Sequence, residues 1–234
     1  MSRTCHILPG DPPIEVELRR SARARRITLR VSRMRRRVTA TVPAGVSERA
    51  AVAFAEEKAD WIRKHLGACP EPVVVTLGSA LPVEGHFRRV VPGQGRRVVL
   101  GPESLAVPGA AEQVGARVAG FLRERARARL DVAARRYAAQ LDRRVARLTL
   151  RDPKSRWGSC SSTGNLMFSW RLILAPPEVL DYVAAHEAAH LVHMDHSARF
   201  WDTVAGICDM EAPRTWLKRE GETLHRYEFT RAER

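Results

Sequence analysis

The order of patterned segments predicts an α+β protein, with strand-like sequence first and helical sequence later. Three observations carry this. Residues 14–45 and 70–109 hold short alternating apolar stretches punctuated by Pro and Gly. The stretches 47–67 and 110–146 have helical spacing or composition. After residue 176 helical segments dominate.

Each element has its own signal. "ITLRVS" sets Ile27, Leu29 and Val31 against polar neighbours, and "VTATVP" repeats the pattern with Val38, Ala40 and Val42. "RMRRR" between them is a polar turn, and the arginines of residues 19–37 suit the solvated face of a hairpin. "SERAAVAFAEEKADWIRKHLG" is a helix that Ser47 can cap and Gly67 can end. Ala51, Phe54, Ala55, Lys58, Trp61, Ile62 and Leu66 trace its inner stripe. "VVVTLG" and "RRVVLG" are short strands. Residues 110–146 form one long Ala/Arg-rich helix with no Pro after its first turn. "RLTLRD" is a strand, and "SRWGSCSSTGNLMFSWRLILA" is a hairpin turning at "SSTGN". "PPEVLDYVAAHEAAHLV" is a helix with prolines at its start, where a missing N–H costs least. "SARFWDTVAGIC" and "APRTWLKREGETLHRY" are two more helices. The expected division is a β-rich N-terminal region with one helix, 1–109, and a region of long helix, hairpin and C-terminal helices, 110–234.

Composition sets bounds. With 234 residues, 44% of them hydrophobic, the chain is long enough to bury a core. The formal charge of +14 favours polyanions, nucleic acid among them. Nearly all the excess is arginine, which a G- and C-rich genome alone also produces, so charge does not decide the partner. No apolar run is long enough for a signal peptide or a membrane span. A cytoplasmic setting with no membrane partner is the expectation. Cys5, Cys69, Cys160 and Cys208 are scattered and form no C-x-x-C, which argues against a disulfide framework or a thiolate zinc site.

Chemistry concentrates in "HEAAHLVHMDH", residues 186–196. His186 and His190 form an H-E-x-x-H motif. On a helix they lie about 40° apart around the axis and about 6 Å apart along it, so two imidazoles can converge on one ion. Neutral imidazoles hold zinc and leave it electrophilic, and Glu187 beside it can take a proton from water. By residue usage, a chance H-E-x-x-H in such a chain is of order one in a hundred. The preceding "VLDYVAA" is apolar enough to be buried, and buried histidines on one face need a metal or a network.

The third ligand is His193 or His196. On a continued helix, His193 would lie about 7 Å beyond the ion, too far for a bond of about 2 Å. His196 can fold back if the helix stops near Met194. Asp195 tolerates a turn, and Ser197 can cap the next helix. His196 is therefore assigned as third ligand. The His190-to-His196 spacing is that of the metzincin pattern, but His193 stands where that pattern has Gly.

The stretch from Arg156 to Trp201 resembles the YgjP-like metal-dependent hydrolases, relatives of the SprT-like zinc metallopeptidases. It carries R-W-G-S-C at Arg156 to Cys160, W-R-L at Trp170 to Leu172, H-E-A-A-H at His186 to His190, and H-M-D-H-S-A-R-F-W at His193 to Trp201. The resemblance extends to the arginine-rich strands and "EEKADWIRKH". It implies a zincin-like catalytic lobe behind a β-rich N-terminal region, zinc on His186, His190 and His196, and Glu187 as base. Ser169 departs from the Asn expected before Trp170.

Around this motif, Arg156 and Arg171 are candidates for an oxyanion or for a substrate carboxylate or phosphate, against structural pairing with Asp181 or Asp202. Trp170 is a candidate substrate contact, although it, Trp157, Phe200 and Trp201 suit a core better. Cys160 suits a packed position better than a redox role. The expected activity is zinc-dependent hydrolysis of protein or peptide, with substrate backbone added to the strand around Leu166 to Trp170. Two alternatives stand beside it: a metal-dependent nucleotide or phosphate-ester hydrolase, and a nucleic-acid-binding protein with a structural zinc. The first lacks a P-loop or a carboxylate cluster, and the second gives Glu187 no purpose.

Overall fold

A computed structural model describes residues 3–32, 37–67 and 71–229. The chain is α+β and divides into two compact units, Met1–Glu71 and Pro72–Arg234.

The first unit is a four-stranded sheet of β1 (Arg3–Leu8), β2 (Ile14–Ser21), β3 (Thr28–Ser32) and β4 (Arg37–Pro43), ordered β1-β2-β4-β3. β1–β2 and β3–β4 are antiparallel, while β2 and β4 run parallel. Alternation places Ile14, Val16 and Leu18 beside Val38, Ala40 and Val42 in one apolar layer. Residues 33–36 of the expected polar turn, and Cys69, lie outside the described residues.

The expected helix over 47–67 is two helices, α1 (Glu48–Glu57) and α2 (Ala59–Gly67), interrupted at Lys58. Ser47 caps α1, its Oγ accepting from the Ala50 N–H at 3.2 Å. Ala51, Ala55 and Ile62 are fully buried against the sheet, whereas Trp61 is 43% exposed. The buried stripe is narrower than the sequence pattern.

In the second unit, β5 (Val73–Val74) leads to β6 (Ala80–Val83), β7 (His86–Pro92), β8 (Val99–Leu100) and β9 (Ser104–Val107). The last four form a sheet ordered β6-β7-β9-β8. Their inward residues Leu81, Val83, Val90, Leu105 and Val107 share one core with Val118, Leu122, Ala126 and Leu130 of α3 (Val114–Gln140). Hence residues 72–109 pack with the C-terminal region. The break between compact units falls after 71, not after 109 as the sequence suggested. Short strands cannot bury their apolar face alone, and α3 supplies the surface that does it.

After α3 come β10 (Arg147–Arg151), β11 (Gly158–Cys160) and β12 (Asn165–Ser169), ordered β10-β12-β11. β12 is paired on both sides, parallel to β10 and antiparallel to β11. A 3₁₀ turn, Trp170–Leu174, leads into α4 (Pro177–Ala189). α5 (Ala198–Ile207), α6 (Glu211–Glu220) and β13 (Tyr227–Glu228), which pairs with β5, complete the unit. α4 packs against α3, α5, α6 and β11, so it is apolar on almost every side. Among the described residues no helix is long and apolar enough to cross a membrane.

Candidate metal centre

α4 carries H-E-x-x-H into the core of the second unit. Glu187 is 5% exposed and His190 8%. The helix ends at Ala189, earlier than the expected stop near Met194, and the chain turns with the Leu191 and His193 N–H groups donating to the Ala188 and Ala189 carbonyls. Asp195 Oδ1 accepts from the Ser197 N–H at 3.2 Å, turning the chain into α5. Ser197 occupies the N-cap position of α5, but its side chain makes no capping hydrogen bond.

This turn brings His196 back to the helix. His186 and His196 face each other through their Nε2 atoms at 3.2 Å. One ligating nitrogen from each of His186, His190 and His196 lies within 4.8 Å of the others. His190 donates from Nδ1 to the His193 carbonyl at 2.9 Å, since a carbonyl only accepts. That bond fixes the tautomer and leaves the His190 Nε2 lone pair free to coordinate. His193 therefore meets the cluster through its backbone, and its ring is not among the three.

The surroundings favour the neutral form of His186 and His190. Burial, with the nearby His190, His196 and Arg214, pulls His186 down to about 4. Burial also lowers His190. Phe200 of α5 stacks on His190 with centroids 4.4 Å apart and meets His186 and His196 edge-on. Trp201 lies beside His186 and His196, and Arg214 stacks over Trp201 at 4.5 Å. Three imidazoles converging on one point, with no carboxylate among them, fit a cation that prefers nitrogen ligands.

Glu187 projects toward β11. Burial pushes its carboxyl up to about 8, opposed by the attraction of Arg156. Among the described residues no hydrogen-bond donor engages it, an expensive arrangement for a group without a task. Gly158 is what makes room: a β-carbon there would meet Glu187 Oε1 at 2.5 Å. Sequence reasoning missed Gly158, although the Gly in R-W-G-S-C was the available signal. It also missed Arg214, which nothing local ties to the motif.

The remaining candidates separate. Arg156 is exposed, acts on Glu187 through its charge, and makes no ion pair among the described residues. Arg171, expected as a substrate contact, is instead structural. It is 8% exposed, donates to Asp152 at 2.7 and 3.1 Å, and donates to the Leu224 and Tyr227 carbonyls. Its partner is Asp152, while Asp181 pairs with Arg136. Trp170, also expected at substrate, is 2% exposed and packs edge-on against Phe229. Ser169 begins the 3₁₀ turn, its Oγ accepting from the Arg171 N–H at 3.4 Å. Cys160 is half-buried, and burial with the Glu187 charge pushes its thiol up to about 11, so it is no thiolate.

The expected strand addition at Leu166 to Trp170 meets an obstacle, because β12 has no open edge. β11, like β10, is an edge strand of this sheet among the described residues. The Trp157 carbonyl accepts from Ser169, and the Ser161 N–H donates to Asn165. By antiparallel alternation, the backbone polar groups of Gly158 and Cys160 point away from β12.

Fold and site together define a protein able to hold a metal ion on three histidines beside a buried carboxylate. The family model described as "YgjP-like, metallopeptidase domain" matches residues 25–220, and the chain belongs to that family. Its class is thus a metal-dependent peptidase in general terms. Comparisons with curated proteins and with solved structures found no match.

Proposed function

We propose that the protein is a zinc-dependent peptidase of zincin-like architecture, with His186, His190 and His196 as ligands and Glu187 as proton carrier. The observation that carries this is Glu187: a buried, unpartnered carboxylate beside three converging imidazoles. Bound there, zinc would supply Lewis acidity toward water and a peptide carbonyl, and a positive charge that favours ionised Glu187. Glu187 takes the proton from the attacking water and later delivers it to the leaving amine. The open edge of β11 takes the substrate backbone through the outward groups of Gly158 and Cys160, a largely sequence-blind mode. Arg156 holds a substrate carbonyl or carboxylate at the mouth.

The test is Glu187→Gln, which keeps size and helix but removes the base. Zinc content stays near one per chain, and hydrolysis of an unfolded protein substrate falls by at least ~10²-fold. Intact zinc with near-normal turnover would mean that the metal is structural. A nucleotide panel run in parallel, with magnesium and with zinc, decides against the phosphate-ester alternative if no phosphate is released.

A further inference from the structure

The second unit holds a groove of about 740 Å³ that contains none of the histidine-site residues. One wall is the loop between β7 and β8, with Arg96, Arg97 and Val98. The other is a face of α3, where Arg117, Phe121 and Arg125 follow at intervals of four. Such spacing aligns them on one side of a helix.

The charge here is poorly neutralised. Arg96 and Arg97 are exposed, and no ion pair or hydrogen bond engages them among the described residues. Arg117 reaches only the neutral Gln113 Oε1, at 3.3 and 3.2 Å. Arg125 pairs with Glu84 at 2.7 Å, but Arg129 shares that carboxylate, and the Arg125 Nε is buried without a partner. The lining contains one acid, Glu124, against four arginines. Some arginines of this unit are matched by acids, Arg135 by Asp131, Arg136 by Asp181 and Arg171 by Asp152, whereas others, Arg156 among them, make no ion pair among the described residues.

We propose that this groove binds a single strand of nucleic acid. Guanidinium forks match phosphodiester oxygens. Half-buried Phe121 and Val98 add an apolar surface on which an unstacked base can rest. A membrane surface would need a flat or convex patch, and an acidic peptide would leave the Phe121 face unused.

The test uses full-length protein and a labelled twelve-residue oligo-dT, read by anisotropy between 50 and 200 mM salt. Each phosphate contact on a single strand steepens the log–log salt slope by about 0.7. Four contacts therefore predict roughly 50-fold loss of affinity over this range, and two contacts roughly 7-fold. Arg96→Ala with Arg97→Ala flattens the slope accordingly. These side chains are exposed on a loop, so folding is spared. Arg25→Ala with Arg26→Ala, in the exposed arginine-rich stretch of the first unit, leaves the slope in place. An abasic strand of equal length binds at least ~5-fold more weakly, because stacking is lost. The proposal is overturned if the groove variant keeps wild-type slope and affinity, if the first-unit variant takes the whole loss, or if the abasic strand binds equally.

Discussion

Gly158 and Glu187 lie in such close contact that any side chain at 158 would overlap the carboxylate. A β-carbon would stand 2.5 Å from Oε1 and 2.6 Å from Cγ. The strand and the helix are both held by the core, so the carboxylate would have to move. Gly158→Ala is expected to cut peptide hydrolysis by about 10²-fold, the scale of a 1 Å misplacement. Zinc content stays near one per chain, since the three atoms nearest to that added carbon all belong to Glu187, which is not a ligand. Kinetics with metal analysis on the same preparation checks this; wild-type kcat would show that Glu187 has another working position.

Metal content separates the histidines. His186→Ala, His190→Ala and His196→Ala each remove most of the zinc, because each takes away one of three converging nitrogens. His193→Ala retains it, since His193 contributes only its backbone carbonyl. Elemental analysis after dialysis reads the result, and full retention by His196→Ala with loss in His193→Ala reverses the assignment.

Arg171 is expected to matter for stability. Replacing it with Met leaves Asp152 without its partner and strips donors from the Leu224 and Tyr227 carbonyls. Breaking such a buried pair costs about 3 kcal/mol, the low end for buried pairs because Asp152 is partly exposed. Urea denaturation measures the loss, and KM for peptide stays close to wild type in protein that remains folded. A raised KM with unchanged stability would restore Arg171 as a substrate contact.

His225 gives a pH dependence. Burial, then repulsion by Arg171, pulls it from 6.5 to about 4. Its ring lies on Trp157 at 5.1 Å, and its buried Nδ1 has no partner. The folded state favours the neutral ring. The unfolded chain therefore binds more protons between about 6.5 and about 4. Its stabilising contribution is complete above about 6.5 and disappears as the pH falls toward about 4. His225→Phe keeps the ring contact and is expected to lose less stability than wild type between pH 7 and pH 4.5. Parallel denaturant titrations at both pH values test this; equal losses would mean that His225 does not titrate in this window.

The sequence by itself determined what is local. Helical pitch places His186 and His190 on one side of α4, and the turn chemistry of Asp195 allows His196 to return. Period-two alternation located β3 and β4, the turn at "SSTGN" marked the β11–β12 hairpin, and Ser47 marked the start of α1. Those signals need only neighbours a few residues away. The tertiary structure decided everything that depends on distant partners. Arg171 and Arg156 look alike in sequence, yet one is spent on Asp152 and two carbonyls while the other stays open beside Glu187. Trp170 is core because Phe229, 59 positions later, closes over it. Residues 72–109 join the C-terminal unit because α3 covers their apolar face. The need for glycine at 158, like the meeting of Arg96 and Arg97 with Arg117, arises only where two separate segments are pressed together. Periodicity specifies which face a residue takes, but not what the fold brings to that face.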